Sequence, residues 1–588
     1  MAKFVDDEME RSQKGSVIFR LLKYVKPYWY MMALAFLLVM SITGIELYRT
    51  ILVGQAIDSY ITDGDFQGVI KTTIIYVVIL LISFVFNMSQ TWLLQLTGQK
   101  IIYNIREEVF AHIQKLHLGF FDVTPVGKLV TRVTNDVESL NEMYANILVK
   151  LFKNIFKILG LAVVMLSIDF KMSLYAFTLL PFIIGLTILF KKISRATYRI
   201  ARTRLTIINT YLSEHISGMK LIQVFARERE KYKEFEGRSK DLFRANYREM
   251  MVFAIFRPSI YMLYVIALVI IIGVGGDSVL KGTITIGTLY IFVQYIGSFF
   301  DPIQELAEQF STLQSALASA EKIFYVLDEE VKVLNKDNQV EMSPILGKIE
   351  FKNVWFAYKE GDWILKDVSF TIEPGQKVAF VGATGAGKSS ILNLIGRYYD
   401  IQKGEILIDG VNIRDIHTDV LRKAIGQVQQ DVFIFTGDIK GNIRLHNENI
   451  SIEQVMEAAT HVNASNFIEN LNAGYDEPVT ERGSTLSAGQ RQLLSFARTL
   501  AYNPKILVMD EATANIDTET ERLITDALEK LMTGRTTIMV AHRLSTIQHA
   551  DNIIVMHKGE IRETGNHQEL LSHNGIYKKL YELQLSGN

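Results

Sequence analysis

A glycine-rich segment followed by lysine and serine has the composition of a phosphate-binding loop. Residues 382–389 read Gly-Ala-Thr-Gly-Ala-Gly-Lys-Ser, between the apolar run Lys377–Val381 and a helical pattern over 390–395. Glycines let backbone N–H groups close around phosphate oxygens at the start of a helix. Lys388 adds positive charge, and the Ser389 hydroxyl can ligate Mg²⁺. The segment therefore predicts a nucleotide site, whose candidate ligands are Gly382, Thr384, Gly385, Gly387, Lys388, Ser389 and Ser390.

Two further apolar runs end in side chains suited to phosphate chemistry. The run Ile506–Asp510 reads as a strand buried on both faces, and it is followed by Glu511. Ligands bind at the carboxyl edge of such a sheet, so we expect Asp510 to hold Mg²⁺ and Glu511 to orient the attacking water. The run Thr536–Val540 leads to His542, which we expect near the γ-phosphate. The alternatives are that the acids only cap a strand and that His542 is an ordinary surface residue.

A second anion site is predicted in the same region. Residues 486–490 read Leu-Ser-Ala-Gly-Gln and precede a helical pattern over 491–500. Ser487 is a good N-cap, and its hydroxyl, the neighbouring N–H groups and the helix dipole favour an anion. One phosphate chain cannot easily use both this helix start and the glycine-rich loop. The pattern therefore implies a dimer in which the loop of one chain faces Ser487, Gly489 and Gln490 of the other.

Composition limits the kinds of protein that can contain these motifs. The chain has 588 residues, too many for one core, with 49% hydrophobic and 21% charged residues. That mixture predicts one apolar and one ordinary domain. The net charge of −1 gives no reason to expect nucleic acid as a partner. Zero cysteines exclude disulfides, thiolate metal sites and cysteine catalysis.

Long apolar stretches in the N-terminal half predict six transmembrane helices, and a helical soluble core is the alternative. Basic residues are concentrated in two connections, with 15 Lys or Arg over 191–249. The positive-inside rule then places these connections, both termini and the nucleotide site in the cytoplasm. Helical periodicity in both connections predicts that the spans continue as two long cytoplasmic hairpins. The first stretch is expected to remain as an anchor, since about 27 residues of mixed charge precede it. The six stretches are 32–47, 74–94, 147–168, 174–190, 253–275 and 288–299.

A few ionisable residues fall within the predicted spans, chiefly Glu46, Arg49 and Asp301. Charges at membrane depth usually face a cavity or a partner, so Glu46 and Asp301 are candidate residues of a substrate pathway. The alternative for Glu46 is a pair with Arg49, one helical turn away, that only fixes packing. Asp301 and Pro302 could instead mark the end of the bilayer portion and a kink.

The order of these motifs resembles that of the ATP-binding cassette exporters that fuse six membrane helices to one nucleotide-binding domain. The resemblance covers nearly the whole chain. It implies that Tyr358 stacks on adenine, that Gln430 contributes to catalysis and to Mg²⁺, that 514–517 form the D-loop, and that His542 is the switch histidine. Residues 480–483 are similar to the X-loop. Segments 120–127 and 216–225 look like two coupling segments, with Phe120, Asp122, Pro125, Gly218 and Lys220 as their candidate contact residues.

The resemblance implies a fold and a domain organisation. We expect an all-α membrane domain of six helices with long cytoplasmic extensions, like that of type I exporters, followed by an α/β P-loop ATPase domain. The expected boundaries are a cytoplasmic segment over 1–27, the membrane domain over 28–325, a linker over 326–345 and the nucleotide-binding domain over 346–588. The expected cofactors are ATP and Mg²⁺.

Function is expected to be ATP-driven export of small amphipathic or hydrophobic compounds across the plasma membrane, with Glu511, His542 and Gln430 as catalytic residues. Alternatives are an importer, a lipid or peptide transporter on the same fold, or a regulatory ATPase. The signature departs from the family's usual Leu-Ser-Gly-Gly-Gln because Ala488 stands at its third position, where glycine's conformational freedom could matter. Together with Glu511 and His542, Ala488 favours pairing with a different, related half-transporter over a homodimer.

Overall fold

The chain forms two compact units in a computed structural model. The structure describes residues 14–333, 335, 344–359, 361–510, 518–540 and 547–586. The first unit spans residues up to Gln114 and Val126–Glu329. The second spans Lys115–Pro125 and the chain from Glu330 onward, so a short segment inside the N-terminal half belongs to the C-terminal unit.

Helices make up the first unit, and several are far longer than the roughly 20 residues that cross a bilayer. The second and fifth of the long helices have 48 and 53 residues. A helix rises about 1.5 Å per residue, so each extends some 40 Å or more beyond a hydrocarbon core of about 30 Å. The helices from the N-terminus are α1 Lys14–Val25, α2 Trp29–Ala56, α3 Phe66–Ile113, α4 Leu118–Val123 (in the second unit), α5 Val126–Thr131, α6 Val137–Glu142, α7 Leu148–Ile168, α8 Phe170–Phe177, α9 Leu180–Ser217, α10 Met219–Val224, α11 Glu228–Leu280 and α12 Ile286–Leu327.

Five helical segments of the described chain are long and apolar enough to cross a membrane. Their bounds are Val17–Ile61, Phe66–Ile113, Val126–Ile168, Phe170–Ser217 and Glu228–Leu280. The most apolar window of α3 has no buried residue, and side chains such as Leu81 and Phe84 are 58% and 64% exposed. A soluble helix would cover such a surface, so lipid is its natural surrounding. The sixth predicted span lies in α12, which continues past Pro302 to Leu327.

Local signals end and restart these helices where the sequence indicates turns. The Asp65 carboxylate caps α3 by accepting from the Gly68 N–H, and Asp169 caps α8 by accepting from the Met172 N–H. Asp169 therefore separates α7 from α8 with a single non-helical residue. Gly218 ends α9 before the short helix α10. The predicted long hairpins are thus confirmed as helices.

Strands of the second unit form two main sheets. The larger has the order β12-β11-β3-β10-β9-β6, in which only β12 is antiparallel to its neighbour. The smaller is antiparallel, with the order β2-β1-β4-β5. The strands are β1 Ile349–Ala357, β2 Trp363–Ile372, β3 Lys377–Val381, β4 Lys403–Ile408, β5 Val411–Asn412, β6 Ile425–Val428, β7 Gly437–Asp438, β8 Pro478–Val479, β9 Ile506–Asp510, β10 Thr536–Val540, β11 Asn552–His557 and β12 Glu560–Gly565.

The parallel strands are buried on both faces, which explains why their sequences are continuously apolar. Alternate residues of one strand point to opposite faces. Phe380 packs in the core shared with the antiparallel sheet, whereas its neighbours Ala379 and Val381 pack against helices on the other face. The predicted α/β fold is therefore confirmed. The helices of this unit are α13 Lys388–Ile395, α14 Thr418–Ala424, α15 Ile439–Arg444, α16 Ile452–His461, α17 Ser465–Glu469, α18 Ala488–Ala501, α19 Thr518–Met532, α20 His567–Ser572 and α21 Ile576–Ser586.

Candidate nucleotide site

The glycine-rich loop connects β3 to α13, the setting that its sequence predicts. Gly387 is the N-cap of α13, with φ of 102°, a left-handed conformation that side chains disfavour. A Cβ atom on Gly382 would lie 2.3 Å from the Met556 carbonyl oxygen, so only glycine fits there. Lys388 is 6% exposed, and its Nζ donates to the carbonyls of Gly382 at 2.6 Å and Ala383 at 3.1 Å. These contacts hold the ammonium over the loop.

Tyr358 stands beside this loop. It follows β1, is 46% exposed and donates from its hydroxyl to the Ser390 hydroxyl at 3.1 Å. Its ring also meets the Tyr399 ring edge-on, with centroids 5.0 Å apart. A half-exposed ring held beside a phosphate loop is well placed to stack on a nucleobase. Thr384, Gly385 and Ser389 are exposed on the same loop.

Strand register brings the predicted chemistry to one edge of the parallel sheet. Val540 of β10 is paired with Phe380 of β3 on one side and with Asp510 of β9 on the other. The glycine-rich loop and Asp510 therefore lie at the carboxyl ends of level strands. Asp510 is half-buried, as a carboxylate at a strand end should be. Glu511, His542 and the D-loop residues 514–517 lie outside the described residues.

The side chains predicted for Mg²⁺ offer the oxygen ligands that this ion prefers. Ser389 supplies a hydroxyl in the first turn of α13, and Asp510 supplies a carboxylate at the end of β9. Helix α13 packs on β9. Gln430 is exposed two residues after β6, the neighbour of β9. A hydroxyl, a carboxylate and an amide oxygen at one sheet edge fit Mg²⁺ bound together with phosphate.

The predicted N-cap at Ser487 is confirmed. Its hydroxyl accepts from the Gln490 N–H at 3.2 Å, while the Gln490 side chain accepts from the Ser487 N–H at 2.9 Å. This capping box starts α18, whose buried face packs in the core of the unit. Gly489 is buried and Ala488 is exposed.

Ala488 lies within the first turn of α18 in helical conformation. The concern that this position requires glycine's conformational freedom is therefore wrong for this chain, since helical backbone suits alanine. The remaining difference from glycine at this position is steric. An exposed methyl group stands at the helix start that would face a partner's nucleotide.

Residues of the predicted X-loop form a short turn before this helix. Glu481–Gly483 is one 3-10 turn, in which Arg482 has φ of 57°. The Arg491 guanidinium donates to the carbonyl of Leu486 at 2.6 Å and to that of Gly483 at 3.4 Å. These bonds attach the turn to α18.

Residues 120–125 of the first predicted coupling segment belong to the second unit, and residues 126 and 127 belong to the first. Phe120 of α4 is 7% exposed, and Asp122 accepts a hydrogen bond from the Tyr399 hydroxyl. Burial and the Asp122 carboxylate raise the pKa of Tyr399, so the phenol stays protonated and donating. Sequence reasoning missed Tyr399, although an aromatic residue closely following the α13 helix was a weak signal. Pro125 is the last residue of the stretch Lys115–Pro125 that belongs to the second unit.

The second predicted coupling segment lies in the first unit. Gly218 is the C-cap of α9, and Lys220 lies in α10, a six-residue helix at the tip of the α9–α11 hairpin. Apolar side chains around it are exposed, including Leu221 at 63%, Val224 at 69% and Phe225 at 66%. Within the described chain this tip therefore presents an uncovered apolar surface.

The proposed Glu46–Arg49 pair is wrong. Glu46 instead pairs with two lysines of α7, at 3.7 Å from Lys153 and 3.3 Å from Lys157. The Arg49 guanidinium lies over the Tyr76 ring of α3, 5.6 Å from its centroid. Glu46 and Arg49 thus contact side chains of neighbouring helices instead of each other. Asp301 is exposed on α12, which remains helical on both sides of Pro302.

Comparison with known proteins matches both halves of the chain. Residues 32–303 match the family model described as ABC transporter transmembrane region, and residues 365–514 match the one described as ABC transporter. A putative ABC transporter ATP-binding protein, exp8 of Streptococcus pneumoniae, is 40% identical over 577 residues, covering 98% of each chain. The chain belongs to the ABC transporter family.

Other similar proteins are named as a multidrug resistance transporter, a lipid flippase and an exporter. A probable multidrug resistance ABC transporter ATP-binding/permease protein of Bacillus subtilis, YheH, is 39% identical over 523 residues, 88% of this chain and 77% of that protein. An ATP-dependent lipid A-core flippase of Syntrophus aciditrophicus is 34% identical over 575 residues, with 98% and 96% coverage. The solved structure of a bacterial Atm1-family ABC exporter with ATP bound has a TM-score of 0.76 at 25% identity, with 97% and 99% coverage.

These findings confirm the resemblance, the fold class and the activity predicted from sequence. The chain is an ATP-hydrolysing membrane transporter of the exporter type, with a helical transmembrane region followed by an ATPase domain. Exporter halves of this family generally act as dimers in the membrane.

Proposed function

We propose that this chain is one half of an efflux pump that moves amphipathic or hydrophobic compounds out across the plasma membrane. The observation that carries the proposal is an open, mainly apolar cleft of about 800 Å³ in the first unit. Drug-sized ligands occupy cavities of roughly 300–1,000 Å³ with mainly apolar walls and a few polar groups. Here the polar groups are Thr187 and Lys191, and the apolar walls include Ile155, Ile184 and Phe299.

We assign a proposed role to each ATP-site residue. Tyr358 stacks on adenine, and the loop amides with Lys388 hold the β- and γ-phosphates. Ser389, Asp510 and Gln430 hold Mg²⁺, which supplies charge neutralisation on the phosphates when bound. Glu511 orients the attacking water, and His542 senses the γ-phosphate. Ser487, Gly489 and Gln490 complete the site of the opposite chain.

Domain boundaries and topology complete the proposal. The membrane domain spans 28–325 and the nucleotide-binding domain spans 346–588, joined by a linker over 326–345. Both termini, the leading segment 1–27 and the ATPase domain face the cytoplasm. The basic connection over 191–249 supports this orientation.

We propose further that the partner is a different, related half-transporter. The support is Ala488, whose exposed methyl group would crowd the nucleotide bound by the partner. In such a heterodimer the site built on Lys388, Asp510 and Glu511 is fast, and the site facing Ala488 is slow. Purification of the chain expressed alone tests this. An inactive chain rescued by a co-expressed related half supports the heterodimer, whereas a homodimer with substrate-stimulated ATPase and transport rules it out.

Transport into inverted membrane vesicles tests the efflux function. ATP-dependent accumulation of an amphipathic dye inside the vesicles is expected, because the cytoplasmic face is outside. Glu511→Gln is the matched inactive control. ATP-dependent loss of preloaded dye would indicate import, and ATP hydrolysis without movement of any compound would indicate a regulatory ATPase.

A further inference from the structure

One carboxylate and two ammonium groups meet between α2 and α7. Glu46 Oε1 lies 3.7 Å from Lys153 Nζ, and Glu46 Oε2 lies 3.3 Å from Lys157 Nζ. The spacing of Lys150, Lys153 and Lys157 places the three lysines along one face of α7. We refer to Glu46, Lys153 and Lys157 as the lysine cluster. Close packing positions it, since a Cβ atom on Gly160 would lie 2.9 Å from Leu47 Cδ1.

The cluster lies within two of the helical segments that are long and apolar enough to cross a membrane, Val17–Ile61 and Val126–Ile168. Lys157 stands eleven residues before Ile168, the end of α7, and Glu46 stands ten before Ala56, the end of α2. At about 1.5 Å per residue, each lies some 15 Å from that residue along its helix, inside a segment apolar enough to cross a membrane. Ionisable groups at that depth are costly and usually serve a function.

Two cations share one carboxylate at this site. A carboxylate on α12, Glu305, accepts a hydrogen bond from Asn154 at 2.9 Å and is therefore already engaged. Two ammonium groups on α7 thus share the single Glu46 carboxylate, and Arg49 on α2 adds a further cation engaged with Tyr76. An uncompensated cation in a medium of low dielectric favours the arrival of an anion.

The ammonium groups of Lys153 and Lys157 are partly exposed, and together they have more N–H donors than the Glu46 carboxylate can accept. Their side chains are 34% exposed for Lys153 and 24% for Lys157. The buried Oε2 atom of Glu46 accepts no hydrogen bond within the described chain, so its contact with Lys157 is an ion pair without hydrogen-bond geometry. Each ammonium has three donors, and one carboxylate cannot satisfy both sets. A phosphate or sulfonate group has enough acceptor oxygens to do so.

We infer that the lysine cluster binds the anionic group of an amphiphilic substrate, so that the pump selects anionic over cationic amphiphiles. The inference rests on the proposed efflux function. This charge selectivity is the opposite of that expected from Glu46 alone, because a lone carboxylate in the membrane would select a cation. Glu46 acts as the resident counter-ion that holds Lys153 and Lys157 in place and competes with the substrate. Exposed apolar side chains of the same helices, such as Met40 and Phe156, would accept its hydrocarbon chain.

The test compares three amphiphiles that share a dodecyl chain and differ in charge. Dodecyl phosphate, dodecyl maltoside and dodecyltrimethylammonium are added below their micellar concentrations to the active transporter containing this chain, in nanodiscs of zwitterionic lipid. Dodecyl phosphate is expected to stimulate ATPase activity at the lowest concentration. In Lys157→Gln that concentration should rise about tenfold or more, while Lys157→Arg should retain the wild-type value. Lys171→Gln, an exposed lysine of α8, is the control.

The outcomes distinguish failure of the lysine-cluster proposal from failure of the efflux proposal. If the neutral or cationic compound stimulates equally well and Lys157→Gln changes nothing, the cluster is only a packing device and the efflux proposal stands. If basal ATPase is present but no amphiphile of any charge stimulates it or is transported, both proposals fall. A second arm uses nanodiscs with anionic phosphatidylglycerol. A rise in activity there that is lost in Lys157→Gln supports the site and identifies a membrane lipid headgroup as its anion.

Discussion

The Tyr399 hydroxyl donates a hydrogen bond to the Asp122 carboxylate within the second unit. Asp122 belongs to segment Lys115–Pro125, whose flanking residues on both sides belong to the first unit. A Cβ atom on the neighbouring Gly119 would lie 3.1 Å from the Tyr399 ring, so the segment and the ring are closely packed. The chain itself therefore links this contact to α3 on one side and α5 on the other.

Loss of that hydrogen bond is expected to uncouple ATP use from transport. Tyr399→Phe keeps the ring and removes a bond to a charged group, which is worth about 1.5–3 kcal/mol. The expected result is less substrate moved per ATP hydrolysed, with ATP affinity close to wild type. Tyr502→Phe, which removes a hydroxyl bonded to the Arg444 carbonyl, is the control. An unchanged ratio of transport to hydrolysis in Tyr399→Phe would remove this contact from the coupling pathway.

Glu511→Gln is expected to lower ATP turnover by orders of magnitude and leave ATP binding near normal. Glutamine keeps the size of the side chain but cannot polarise water as a carboxylate does. Phosphate release and equilibrium nucleotide binding measured on the same preparation separate the two effects. Glu529→Gln, on the exposed face of α19, is the matched control. Wild-type turnover in Glu511→Gln would show that another group activates the water.

Tyr358→Ala is expected to weaken ATP binding roughly tenfold, because base stacking on an aromatic ring contributes about 1–3 kcal/mol. Tyr358→Phe keeps the ring but loses the bond to Ser390, so it should bind almost as well as wild type. Titration with a fluorescent ATP analogue measures both. Equal losses in the two variants would assign the effect to the hydroxyl rather than to stacking.

Lys388→Ala should weaken binding through lost phosphate contacts.

Ser487→Ala is expected to destabilise the ATPase domain by about 1 kcal/mol, the usual cost of losing an N-cap side chain. The capping box at the start of α18 is the reason. Ser487→Asp restores a cap but places a carboxylate where an anion is proposed to bind. Thermal unfolding should therefore rank the aspartate variant above the alanine variant, while ATPase activity should be low in both. Full activity in Ser487→Asp would exclude phosphate from this helix start.

The exposed tip around α10 is expected to contact an ATPase domain in the assembled transporter. The chain has no native cysteine, so a single cysteine at Leu221 can be labelled without background. A bifunctional reagent should link Leu221→Cys to an ATPase domain, with a yield that changes between ATP and ADP. Thr283→Cys, in the turn after α11 at the other end of that long helix, should give no link. Absence of a link at Leu221→Cys in any nucleotide state would contradict the coupling role.

The sequence alone was sufficient to predict the elements whose chemistry is local. The glycine-rich loop, the strands ending at Asp510 and Val540, and the Ser487 cap follow from short patterns that depend on neighbouring residues. Apolar length likewise predicted the membrane helices, because a bilayer imposes one requirement on every span.

Only the tertiary structure decided the partners of side chains that meet across distant segments. Glu46 binds Lys153 and Lys157 rather than Arg49, because α7 packs against α2 at Gly160 and brings two ammonium groups within reach. Tyr399 contacts Asp122 across 277 positions of sequence. Alanine is compatible with position 488 because the backbone there is helical. Such outcomes depend on which helix faces reach each other, and sequence periodicity shows that a face is apolar without showing what it packs against.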